Sequence, residues 1–68
     1  MKLYTIKYAA AFDGEGNAIS ATDLVYLTYE HEGAQLIFDD EDIANIRRIE
    51  LQENDSKHYY KVVRVNQN

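Results

Sequence analysis

The chain has no cysteine, no proline and no tryptophan, and only three glycines among its 68 residues. Without cysteine there is neither a disulfide framework nor a thiolate metal site, and the composition suits a reducing compartment. Without proline, a strand left at a sheet edge is guarded by charge alone. No apolar run is long enough to cross a bilayer, and Lys2 and Lys7 interrupt the N-terminal stretch, so neither a signal peptide nor a membrane span is expected. A further absence is local. Between Asp13 and Asp42 there is not one Lys or Arg, yet nine carboxylates fall there: Asp13, Glu15, Asp23, Glu30, Glu32, Asp39, Asp40, Glu41 and Asp42. All seven cations lie in the flanks with the three remaining acids, which makes the middle nine charges negative, the flanks four positive and the whole −5. A one-sign field of this kind bears on partners and association rate, not on fold.

What is present supports a folded chain. Hydrophobic residues make up 46%, with six Tyr and two Phe, enough for a packed core. A chain this short makes a single small domain, residues 1–68, that buries only about 60% of its unfolded surface and is only modestly stable. A soluble, cytoplasmic protein is expected.

Alternation dominates over helical periodicity, the sign of half-buried strands. Tyr4, Ile6, Tyr8, Ala10 and Phe12 share one face of a first strand, and Leu3, Thr5, Lys7 and Ala9 the other. Asp13-Gly14-Glu15-Gly16-Asn17 breaks it. A second strand is expected from about Asp23 to His31, a tight hairpin at Glu32-Gly33, and a return from Ala34 to Phe38. Asp39-Asp40-Glu41-Asp42 ends that return, and Ile43-Ala44-Asn45-Ile46 has the spacing of one helical turn capped by Asp39 or Asp40. Arg47 to Gln52 reads as a fourth strand and His58 to Val65 as a fifth. The expectation is a mainly β fold of about five antiparallel strands in a meander or open barrel with one short helical turn. Phe12, Val25, Leu27, Leu36, Phe38, Ile49 and Leu51 are its expected core.

No motif specifies a chemistry. Asp13-Gly14-Glu15-Gly16-Asn17 has the alternate oxygens of a calcium loop, but Ala18 and Leu24 stand where that loop needs Gly and a bidentate Glu. His31 and His58 have no cysteine to complete a zinc set and are expected at the surface. Ser20 and Ser56 lie in no nucleophile signature. No catalytic residue, metal or cofactor is therefore nominated. Arg47, Arg48, Lys57, Lys61 and Arg64, with Tyr59 and Tyr60, could face single-stranded nucleic acid, but an acidic chain is repelled by phosphates. Those cations are expected to pair with the acidic half across strands.

Capping accounts for two of the four acids Asp39 to Asp42 and leaves two unexplained by folding. On a strand, Glu30 and Glu32 would share a face roughly 6 to 7 Å apart, on the scale of neighbouring phosphates. The candidate partner-binding residues are Glu30, Glu32, Asp39, Asp40, Glu41 and Asp42. The expected function is that of a small acidic inhibitor or modulator docking on a basic, nucleic-acid-binding protein, without direct nucleic-acid or membrane contact. In composition the chain resembles the small, acidic, cysteine-free proteins that phages direct against host nucleases and polymerases, including anti-CRISPR and anti-restriction DNA mimics. The competing expectation is an SH3-like β-barrel module that binds peptides or self-assembles through an edge strand and surface tyrosines.

Overall fold

The computed structural model describes residues 1–65. Strand β1 (Tyr4–Ala10) is followed by a 3-10 turn (Ala21–Asp23), β2 (Leu27–Thr28), β3 (Glu30–His31), β4 (Ala34–Gln35), helix α1 (Glu41–Glu53) and β5 (His58–Arg64). The fold is mainly β and antiparallel, in two sheets that are not closed into a barrel. The larger sheet has the order β2-β1-β5, so the first and last strands are neighbours and the consecutive meander is replaced by a central β1.

Backbone bonding follows from that placement. Ala11 N–H donates to Lys57 O at 2.8 Å and Val65 N–H to Leu3 O at 2.8 Å, so the odd-numbered residues of β1 turn their backbone groups toward β5. Its even-numbered residues turn the other way, where Tyr4 exchanges bonds with Phe38 and Ile6 O accepts from Tyr29 N–H. Being paired on both edges, β1 carries most of the core. Thr5, Ile6 and Ala9 are buried on its two faces, with Ala11 just beyond it and Ala44 from the helix. The Thr5 hydroxyl donates to Leu36 O at 2.6 Å, which satisfies a buried polar group.

Three features depart from the alternation-based expectation. Arg47 to Gln52 is helical, so α1 runs for 13 residues instead of one turn. The Asp40 carboxylate caps it, accepting from Asp42 and Ile43 N–H, with Glu41 and Asp42 in the first turn. Between Asp40 and Asn54 there is no Gly or Pro to stop propagation, and Ala44, Arg48 and Leu51 make an inner stripe at helical spacing. The second strand begins only at Leu27, after a 3-10 turn at Ala21–Asp23, and is reduced to two short pieces, with Val25 and Leu27 exposed. Of the expected core, Phe12 and Ile49 are also exposed, while Leu36, Phe38 and Leu51 are half-buried. The hairpin is where it was expected: Glu32 (φ 53°) and Gly33 (φ 79°) form the turn between β3 and β4, both in the left-handed region that a primed two-residue turn requires.

Candidate functional site

All nine carboxylates from Asp13 to Asp42 are exposed. Three of them serve the fold. Asp13 accepts from Glu15 and Asn17 N–H, which closes the 13–17 loop and lowers its pKa, chiefly through the Asn17 bond. Asp23 accepts from the Ser20 hydroxyl, and Asp40 caps α1. Among the described residues the side chains of Glu15, Glu30, Asp39, Glu41 and Asp42 have neither a hydrogen bond nor an ion pair. Glu32 lies 3.9 Å from His31 Nε2.

The cations do not neutralise this surface. Among the described residues the only ion-pair contacts are His31 with Glu32 and His58 with Asp55, so the expected cross-strand pairing of Lys and Arg with the acidic half does not form. Lys7 and Lys61 stand opposite each other in the β1–β5 register, and the Lys61 ammonium sits 4.0 Å from the Tyr26 ring centre. The acidic stretch is thus left without Lys or Arg partners among the described residues.

The six nominated acids divide into two groups. Glu30 lies on β3 and Glu32 in the turn beyond it, where the positive φ ends the strand alternation, so the same-face spacing expected of that pair does not hold. Asp39, Asp40, Glu41 and Asp42 surround the N-terminus of α1, and of these Asp40 is committed to capping.

A second cluster was not nominated from the sequence. Tyr8, Tyr29, Tyr60 and His58 pack together with ring centroids 5.4 to 6.0 Å apart. Asp55 Oδ2 accepts from the Tyr60 hydroxyl at 2.7 Å and lies 2.9 Å from His58 Nδ1. The Tyr60 bond, followed by the Lys57 N–H, holds Asp55 below the usual carboxylate range; burial, then Asp55, pushes Tyr60 up. His58 is therefore a half-buried member of an aromatic cluster and not the surface residue expected. Asp55, His58 and Tyr60 flank one turn, and that spacing was the available signal.

An open cleft of about 570 Å³ lies between the 13–17 loop and the turn before β5, lined by Ala10, Phe12, Asp13, Ser56, Lys57 and His58 among others. No hydrogen bond joins Ser56 to His58 among the described residues, so a nucleophile and base are not assembled there. Nor do the described residues hold a group of three His, Cys, Asp or Glu side chains able to bind a metal ion. No described helix is long and apolar enough to cross a membrane. No family model, curated protein or solved structure matches the chain.

Proposed function

We propose that this chain is a protein-binding module that docks through its acidic surface on a basic partner, a nucleic-acid-binding protein whose phosphate-contacting site the carboxylates occupy. The observation that carries the reading is the exposure of nine carboxylates with no Lys or Arg paired to any of them among the described residues. Mutual repulsion among such charges disfavours the compact state, and only a minority of them return anything to the fold as caps. Complementary charge across an interface accelerates encounter and selects the partner. Phage-type inhibition by nucleic-acid mimicry is the form of this activity that the composition suits.

An affinity pull-down with the immobilised protein, eluted by a salt gradient, tests the reading. A basic nucleic-acid-binding protein should elute at moderate salt and be lost from a Glu30→Lys, Asp39→Lys variant, whose two native side chains make no bond among the described residues. Retention of the same protein by that variant would contradict it.

A further inference from the structure

Helix α1 leaves outward the residues that a helix in a small domain ordinarily buries. Its exposed residues are three isoleucines, Ile43, Ile46 and Ile49, and four acids, Glu41, Asp42, Glu50 and Glu53. The isoleucines are 53%, 59% and 44% exposed and recur every three residues, which lines them up as one surface ridge. Arg47, Arg48, Leu51 and Gln52 are half-buried, so the charged residues of α1 that are fully in the exposed class are all acidic.

Folding does not explain this arrangement. Isoleucine is a poorer helix former than alanine, leucine or glutamate because its branched Cβ loses freedom against the preceding turn. At an exposed position it gains little from burial in return.

We infer that the Ile43-Ile46-Ile49 ridge receives a cationic amphipathic helix of another protein, whose apolar strip covers the isoleucines while its flanking Lys or Arg meet Asp42, Glu50 and Glu53. The inference rests on the reading of an acidic docking surface and names where and how the partner is held. Charge selects this occupant over a second copy. An antiparallel pair of α1 helices centred on Ile46 would set Asp42 against Glu50 and Asp39 against Glu53, and a parallel pair would set each acid beside itself. The same acids oppose an anionic lipid surface.

Titrating isotope-labelled protein with three synthetic amphipathic peptides, sharing one leucine pattern but with lysine, serine or glutamate at the polar positions, decides the matter by amide shift changes. The lysine peptide should bind, move Ile43, Ile46, Ile49, Glu50 and Glu53 most, and bind roughly tenfold or more tightly than the serine peptide. The glutamate peptide should not bind. Ile46→Ser should weaken the lysine peptide about tenfold, and Ile43→Ser should act likewise, both with an unchanged circular dichroism spectrum. Binding mapped to Glu30 and Glu32, with α1 undisturbed, would overturn the inference and leave the acidic-surface reading standing. No binding by the lysine peptide would overturn both. A concentration-dependent dimer in sedimentation, abolished by Ile46→Ser, would assign the ridge to a second copy instead.

Discussion

Gln52 closes one end of the sheet with a single carboxamide. Its Nε2 donates to His58 O at 2.8 Å and to Asp55 O at 3.0 Å, while its Oε1 accepts from Tyr60 N–H at 3.0 Å. Because the odd-numbered residues of β5 turn toward β1, His58 and Tyr60 present these backbone groups to the outer edge, and Gln52 stands there as a neighbouring strand would. The edge is therefore guarded by a side chain as well as by Lys61, which weakens self-assembly through this strand as a competing function. Gln52→Ala removes the side-chain partner of three part-buried backbone groups and should lower stability by about 1 to 3 kcal/mol in urea unfolding, with increased aggregation. The neighbouring Asp55 sets a pH dependence. Its pKa is depressed, so its contribution is complete above the ordinary carboxylate range and is lost as pH falls through the folded-state value. Stability measured from about pH 5 down to about pH 2 should fall less steeply in Asp55→Asn than in the parent. Tyr60→Phe should move the Asp55 titration, followed by NMR, back toward the usual range. Tyr60 itself acts in the opposite sense, since a raised pKa means stability held below about pH 10 and lost above it.

Among the elements, α1 is where composition and pattern diverge most. Arg47-Arg48-Ile49-Glu50-Leu51-Gln52 alternates as a strand does, yet the Asp40 cap and the acids of the first turn start a helix upstream that no breaker stops before Asn54. Asp40→Ala should therefore destabilise the protein by about 1 kcal/mol while Asp39→Ala leaves it unchanged, a contrast that thermal unfolding reads directly. Charge reversal at Asp40 would confound binding with folding, which is why Glu30 and Asp39 are the better positions to probe docking. The central strand β1, its long neighbour β5 and the hairpin turn were legible because alternation and Glu32-Gly33 are local signals. Burial was not. Val25, Leu27 and Ile49 alternate correctly, but the sheet is too small to cover them, and the core falls instead on Ile6 and three alanines at close-packed positions. Ile6→Ala should cost about 2 to 5 kcal/mol and Phe38→Ala, at a half-buried site, distinctly less. At the turn, Glu32→Asn suits the left-handed backbone better and should raise stability by up to about 1 kcal/mol.

At the scale of the whole molecule, nine of the twelve acids occupy a stretch of chain without Lys or Arg, and none of them is paired with a Lys or Arg among the described residues. The sign of the middle segment was plain from the sequence; the division of its acids between capping and solvent required the structure, because a cap is defined by backbone geometry and not by residue type. If those carboxylates guide a basic partner, their effect belongs mainly to the rate of encounter, which falls as salt screens the field over about 10 Å at 0.1 M. The most direct measurement is the association rate constant with the partner recovered by salt elution, taken across ionic strength for the parent and for Glu30→Lys, Asp39→Lys. A rate that falls steeply with salt in the parent, and is slower and flatter in the variant with dissociation little changed, is the predicted result. A rate indifferent to salt and equal in the two proteins would contradict the acidic surface as the means of docking.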